Sequence, residues 1–173
     1  MLPIQILLGN ILSDFPLITV ATDSVDLDEL KKPKNYQLHL VLPLIISLAL
    51  VSTVFDFIFF SIFYRQSPGT IQTLWFIESI MTELLLIFII RTRGLFYKAK
   101  KPGFWLLTLV IIDAVFIVVL PFLPIGQSWF HFVAPPILPL LIVFVLNALY
   151  FVTSEIVKLV YFHYWKPKES VIN

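Results

Sequence analysis

The sequence contains no cysteine and few charged residues. Of its 173 residues only 13% are Asp, Glu, Lys or Arg, whereas 59% are hydrophobic, and the mean hydropathy is +0.95. The absence of cysteine excludes disulfide bonds, thiolate metal sites and cysteine nucleophiles. The net charge of +1 gives no reason to expect a nucleic-acid partner. Soluble domains of this size are not so apolar, and the composition therefore predicts a multi-pass membrane protein surrounded by lipid.

Three further features are missing. The histidines, His39, His131 and His163, are far apart and share no metal-ligand spacing. The N-terminus has no positively charged stretch before its first apolar segment, so no cleavable signal peptide is predicted. The internal repeat that is typical of secondary transporters is also lacking.

Five apolar segments predict an all-α fold, a polytopic membrane bundle of about five transmembrane helices. Each segment is close to the roughly 20 residues that a helix needs to cross the hydrocarbon core of a bilayer. We expect a single transmembrane domain over residues 1–173, with helices at about residues 2–20, 39–64, 71–90, 104–121 and 136–162.

The basic residues predict the orientation of the bundle. Eleven of the 12 Lys and Arg residues lie in or beside the stretches that follow the first, third and fifth segments, and only Arg65 lies on the opposite side. The positive-inside rule assigns those stretches to the cytoplasm. We therefore expect a cell membrane protein, in a prokaryote an inner membrane protein, with its N-terminus outside and its C-terminus in the cytoplasm.

A polar motif lies inside the first apolar segment. Asn10, Ser13 and Asp14 are three or four residues apart and therefore share one face of a helix. Gly9 and Pro16 predict a local break in that helix, which would leave backbone carbonyls unpaired beside a carboxylate. Hard cations such as Mg²⁺ and Ca²⁺ prefer oxygen ligands of these kinds. The motif therefore predicts part of an intramembrane cation site, and the alternative is a helix end solvated at the membrane surface.

Five more acidic residues lie within the later segments, and four of them have no basic residue nearby in the same segment. Glu78 and Glu83 are five residues apart, roughly 140° around a helix, so we expect one to face a cavity and the other to face another helix. Asp56 and Asp113 are expected to be structural acids, either hydrogen-bonded between helices or held protonated by their surroundings.

A possible ion pair lies near the end of the fifth segment. Glu155 precedes Lys158 by three residues. This spacing places both side chains on the same face of a helix, and it predicts a local ion pair.

These motifs, taken in order, resemble the C-terminal membrane region of P-type cation-transporting ATPases, closest to the magnesium-transporting, type IIIB branch. Residues 10–14, Asn-Ile-Leu-Ser-Asp, resemble the sixth-helix signature Asn-x-x-[Ser/Thr/Tyr]-Asp. Later stretches resemble the loop after that helix and the seventh to tenth helices: residues 25–34, 52–56, 75–79, 90–93, 120–124 and 155–158. The resemblance covers nearly the whole chain, as the last five of ten transmembrane helices.

The resemblance implies one part of an ATP-driven cation pump, with Mg²⁺ as the transported ion. It makes Asn10 and Asp14 ion ligands, with Ser13 beside them. Glu83 occupies a position where family members often carry a polar eighth-helix residue, and it is a further candidate ligand, ahead of Glu78. The remaining ligands would come from N-terminal helices, and the cytoplasmic domains would be further partners.

The chain lacks the motifs that hydrolyse ATP in that family. It has no Asp-Lys-Thr-Gly-Thr phosphorylation motif, no Thr-Gly-Glu loop, no Gly-Asp-Gly hinge and no nucleotide-binding domain. Because hydrolysis in the family proceeds through an aspartyl-phosphate, we expect ATP to act only through missing upstream domains.

Met1 falls about where the loop before the sixth helix would lie, as expected of a fragment, a split subunit or a truncated gene product. A stand-alone non-enzymatic membrane subunit or remnant is one alternative function. A small passive cation or proton channel or transporter is another.

Overall fold

Residues 1–20, 23, 38–97 and 100–164 are described by the computed structural model. Within these ranges the secondary structure is helical, without strands. The helices, numbered here in chain order, are α1 (Pro3–Thr19), α2 (Leu38–Phe63), α3 (Pro68–Ile90), α4 (Phe104–Val119), α5 (Pro124–Phe130) and α6 (Ile137–Tyr164), and a 3₁₀ turn (Leu120–Phe122) follows α4.

The predicted all-α membrane bundle is confirmed. Four stretches in the described part are long and apolar enough to cross a membrane: Val41–Phe63, Pro68–Ile90, Phe104–Phe122 and Ile137–Tyr164. Helix α1 is also apolar, but it has 17 residues. At 1.5 Å per residue it is roughly 26 Å long, slightly less than the roughly 30 Å hydrocarbon core of a bilayer.

Helix α3 lies at the centre of the bundle, where it packs against α1, α2, α4 and α6. Its membrane segment is 56% buried within the chain, compared with 11% for that of α2. Leu74, Phe76 and Ile77 are fully buried on it. Because so little of α2 is buried against the other helices, most of its apolar surface faces outward.

The connection between α4 and α6 folds over one end of the bundle. The Phe132 ring packs on Phe76 of α3, with 4.7 Å between the ring centroids. The Val133 N–H donates to the Thr73 hydroxyl at 3.0 Å, and the Gln5 side-chain amide donates to the Phe130 carbonyl at 2.8 Å. These contacts hold the first turns of α1 and α3 under one connecting segment.

The predicted ion pair between Glu155 and Lys158 is confirmed, and it is buried. The Lys158 ammonium lies 2.8 Å from a Glu155 carboxylate oxygen and donates to the Ile89 carbonyl at 3.1 Å. The other Glu155 oxygen accepts from the Phe96 N–H at 2.9 Å. The pair therefore ties α6 to the end of α3 and to the loop that follows it.

The predicted break in the first helix is wrong, because α1 is continuous from Pro3 to Thr19 with Pro16 inside it. Pro16 lies in the last turn, where the loss of one N–H donor disrupts little of the helix. It is also buried, together with Gln5, Gly9 and Leu12 on the same face. Burial of this face against α3 and α4 favours a straight continuation over a local break.

Two parts of the sequence lie outside the described residues. They are residues 25–34, which resemble the loop after the sixth helix, and the end of the chain beyond residue 164.

Candidate cation site

Helix α1 has a packed face and an open face. On the packed face, a Cβ atom added at Gly9 would lie 2.7 Å from Ile80 Cδ1 and 3.8 Å from the Phe76 ring. Glycine thus allows the backbone of α1 to approach α3 closely. On the open face Ile11, Phe15 and Ile18 are 45%, 54% and 70% exposed.

The three residues of the polar motif, Asn10, Ser13 and Asp14, lie away from the packed face. Asn10 and Asp14 are exposed, and Ser13 is half-buried at the edge of the contact with α3. The Ser13 hydroxyl donates to the Asn10 carbonyl at 3.3 Å. Their common face, expected from the spacing, is therefore turned outward from this bundle.

Glu83 of α3 lies next to this polar face. The Ser13 hydroxyl and the Asp14 carboxylate both lie close enough to act on its carboxylate electrostatically. Since like charges in a poorly solvated region repel strongly, a cation between the two carboxylates would relieve the repulsion. The fold thus brings together Ser13, Asp14 and Glu83, although 69 positions separate Asp14 from Glu83 in the sequence.

Glu83 also lines a cavity of about 470 Å³ between α2, α3 and α6. Ser52, Thr53, Thr82 and Tyr150 contribute the other polar side chains of its wall. Glu83 therefore faces a cavity, as its spacing from Glu78 leads one to expect. Its carboxylate joins the polar face of α1 to this hydroxyl-lined space.

The oxygen-bearing side chains of Ser13, Asp14 and Glu83 are too few to complete a cation site by themselves. Mg²⁺ takes six ligands in an octahedron and Ca²⁺ six to eight. In the described part, no three His, Cys, Asp or Glu side chains are close enough together to hold a metal ion. A complete site would need further oxygen ligands from outside the described residues or from water.

A second polar cluster lies between α2, α3 and α6. The Trp75 indole N–H donates to Asp56 Oδ1 over a long 3.5 Å contact, which links two helices as expected for a structural acid. Glu78 is 3% exposed and lies within electrostatic range of Asp56. Glu78 therefore faces another helix and points away from the group around Asp14.

Asp113 on α4 belongs to neither cluster. It is 6% exposed, and its Oδ2 atom has no hydrogen-bond partner within the described ranges.

The sequence reasoning missed Tyr150. This side chain is 2% exposed and lines the cavity beside Glu83, and the fully buried Ser154 follows it by four residues. Asn147, also buried, precedes it by three residues. Three polar residues with spacings of three and four mark a polar stripe on α6, and that spacing was a signal available in the sequence.

The fold defines the class of this protein as a helical membrane bundle with polar, oxygen-bearing side chains on the open face of α1. A family model, described as the C-terminus of cation transporting ATPases, matches residues 1–160. The chain therefore belongs to the family of cation-transporting ATPase C-terminal regions.

Individual relatives point to one branch of that family. The chain is 27% identical over 135 residues to proteins named magnesium-transporting ATPase, P-type 1, from Salmonella typhimurium strain 14028s and Escherichia coli K12. Each alignment covers 73% of this chain and 15% of the relative. The chain thus spans a small part of the length of these relatives, and the resemblance to magnesium-transporting P-type ATPases is confirmed.

Proposed function

We propose that this chain forms the C-terminal membrane part of an ATP-driven cation pump, with Mg²⁺ as the transported ion. In this proposal Asn10, Ser13 and Asp14 on α1, together with Glu83 on α3, supply part of the intramembrane ion site. ATP is hydrolysed by cytoplasmic domains of the pump that lie upstream of the residues in this sequence. The N-terminal helices of the pump pack on the open face of α1 and complete the ligand set.

One observation carries this proposal. Asp14 is exposed on the open face of α1 between strongly exposed apolar side chains, Phe15 and Ile18 among them. A carboxylate that faces hydrocarbon is costly, so this face requires either a polar partner or a cation in the membrane. Family membership and relatives named as magnesium-transporting ATPases support the choice of partner and of ion.

The test is the Asp14→Asn variant in the assembled pump. The coding sequence upstream of Met1 decides how the pump is produced, either as one continuous chain or by co-expression with its N-terminal part. The isosteric amide removes the charge with little change in size. Loss of even an outer partner of a metal ligand costs about 10- to 100-fold in affinity. We therefore expect the Mg²⁺ concentration for half-maximal ATP hydrolysis to rise at least about tenfold.

Asp113→Asn is the matched control, because it is the same substitution at an acid of α4 that lies outside the proposed site. We expect its Mg²⁺ dependence to equal that of the unmodified pump. An Asp14→Asn pump that assembles normally and keeps its Mg²⁺ affinity would overturn the ligand assignment. ATP hydrolysis that needs no Mg²⁺ beyond that bound to ATP would overturn the choice of ion.

A further inference from the structure

The end of α1 is tied to α3 by a buried ion pair. Asp23 lies shortly beyond Thr19, where α1 ends, and Arg91 directly follows α3. The Arg91 Nε–H donates to the Asp23 carboxylate at 2.8 Å, and both side chains are only 7% exposed. Separation of such a pair leaves a buried charge without its partner, which is strongly unfavourable. The pair therefore opposes movement of the end of α1 away from α3.

The same two side chains also hold the start of α4. The other Asp23 oxygen accepts from the Gly103 N–H at 2.6 Å, and Gly103 directly precedes α4. A terminal N–H of Arg91 donates to the Lys100 carbonyl at 2.9 Å. A guanidinium group is suited to such a network, because its planar fork donates in several fixed directions at once. The ends of three helices thus meet at one ion pair.

The rest of α1 is fixed at two other levels. Near its start the Gln5 side-chain amide donates to the segment that connects α4 to α6, and at Gly9 its backbone lies close to α3. Both contacts precede Asp14 in the chain, whereas Asp23 follows it. Since Asp14 and Glu83 belong to different helices, their proximity depends on how both parts of α1 are held against α3. The ion pair provides a polar contact for the part beyond Asp14.

We propose that the ion pair between Asp23 and Arg91 positions α1 so that Asp14 lies beside Glu83, and that it thereby sets the affinity of the cation site. This role rests on the proposed function, because it concerns the same site. Neither Asp23 nor Arg91 is itself a ligand: α1 continues for roughly 8 Å beyond Asp14 before it ends, whereas ligand oxygens lie roughly 2–2.6 Å from their ion. Both are positioning residues that act through α1.

The first test is Arg91→Gln in the assembled pump. We expect the Mg²⁺ concentration for half-maximal ATP hydrolysis to rise about tenfold, the lower end of the loss caused by removing an outer partner of a metal ligand. The maximal rate at saturating Mg²⁺ should be retained, since excess ion compensates for weaker binding. An ion pair that only stabilised the fold would instead lower the maximal rate, by reducing the amount of active pump, and leave the half-maximal concentration unchanged.

Two further variants accompany this test. Arg93→Gln is the matched control, because it is the same substitution at an exposed arginine, one that lies over the Phe162 ring of α6. It should keep the Mg²⁺ dependence of the unmodified pump. The double variant Asp23→Asn, Arg91→Gln leaves no buried charge unpaired, so it serves where Arg91→Gln alone assembles poorly. It should also raise the half-maximal Mg²⁺ concentration, because a hydrogen bond between neutral amides is weaker than the ion pair.

The second test follows the position of α1 without ATP hydrolysis. Because the chain has no cysteine, spin labels are attached at two introduced thiols, Ile18→Cys on α1 and Ile90→Cys on α3, both at exposed positions. The distances between the labels are measured in bilayers by electron paramagnetic resonance. We expect a broader distribution in the Arg91→Gln chain than in the Arg93→Gln chain or the otherwise unmodified one. An unchanged distribution in a folded Arg91→Gln chain would overturn the proposal.

Comparison with Asp14→Asn separates this role from the proposed function. If Asp14→Asn weakens the Mg²⁺ dependence but neither Arg91→Gln nor the double variant does, the cation site stands and the positioning role is wrong. If Asp14→Asn leaves the Mg²⁺ affinity unchanged, the ligand assignment fails and the positioning role fails with it. An equal rise in the Arg93→Gln pump would show a general effect of lost basic charge and would overturn the role of the ion pair.

Discussion

At the scale of single residues, Lys158 illustrates how a charge is accommodated inside this bundle. Its side chain is fully buried, and its partners are a carboxylate one helical turn away and the carbonyl of Ile89. The spacing of three residues made the pairing with Glu155 predictable. The carbonyl and the Phe96 N–H were not predictable, because they lie 69 and 59 positions away in the sequence and meet the pair only in the folded bundle.

We expect Lys158→Met to destabilise the chain by about 3–5 kcal/mol, since it leaves the buried Glu155 carboxylate without its cation. The double variant Glu155→Gln, Lys158→Met should lose less, because no buried charge remains unpaired and the Gln side-chain oxygen still accepts from Phe96. The measurement is the free energy of unfolding of the purified chain in mixed micelles.

Lys100→Gln, at an exposed lysine, provides the control for loss of a positive charge. If Lys158→Met were as stable as this control, the ion pair would contribute nothing to the fold.

For the candidate ion ligands too, spacing predicts which residues share a face of one helix, but it does not predict contacts between helices. The i, i+3 and i+4 spacing was enough to place Asn10, Ser13 and Asp14 on one face of α1. The proximity of Glu83 was suggested by family resemblance alone, because spacing within one helix carries no information about a neighbouring helix. The contribution of Tyr150 to the adjacent cavity depends on how α6 packs against α3, and the local sequence does not specify that packing.

At the scale of helices, the contact between α1 and α3 depends on Gly9. Local propensity alone predicts that Gly9 and Pro16 weaken α1. In the bundle Gly9 instead permits close packing, and Pro16 is buried on the same face. Propensity is a weak guide where a helix buries a whole face, because tertiary contacts then outweigh it.

We therefore expect the size of the residue at position 9 to determine how well α1 packs on α3. Gly9→Leu should cost about 1–3 kcal/mol through overpacking. Gly9→Ala should cost less, since its Cβ meets only the flexible end of Ile80 and alanine has the higher helix propensity. Thermal unfolding of the detergent-solubilised chain would measure both.

A double-mutant cycle makes this test specific. Ile80→Val removes the atom nearest to the added Cβ, so Gly9→Ala should cost less in the Ile80→Val chain than in the unmodified one. Ile11→Leu, a substitution at an exposed position of α1, serves as the control. Additive effects of Gly9→Ala and Ile80→Val would contradict a direct contact between the two positions.

At the scale of the whole molecule, the described basic residues are concentrated at one end of the bundle. The four other long helices pack around α3. Of the described basic residues, one lies in the turn between α2 and α3, namely Arg65, and the others lie toward the opposite end of the bundle: Arg91, Arg93, Lys100, Lys101 and Lys158. Segment lengths and basic residues predicted this arrangement, because membrane thickness and the positive-inside rule act on sequence directly.

We expect the turn between α2 and α3 to lie outside the cell and the loop after α3 to lie in the cytoplasm. The absence of cysteine allows a direct test, since one introduced thiol is the only reactive one in the chain. Gln66→Cys places it at an exposed residue of the turn, and Gly94→Cys places it in the basic loop, where an added Cβ has no atom within 4 Å. A membrane-impermeant maleimide should label Gln66→Cys in intact cells and Gly94→Cys only after permeabilisation. The reverse pattern would invert the bundle and contradict the orientation that the basic residues predict.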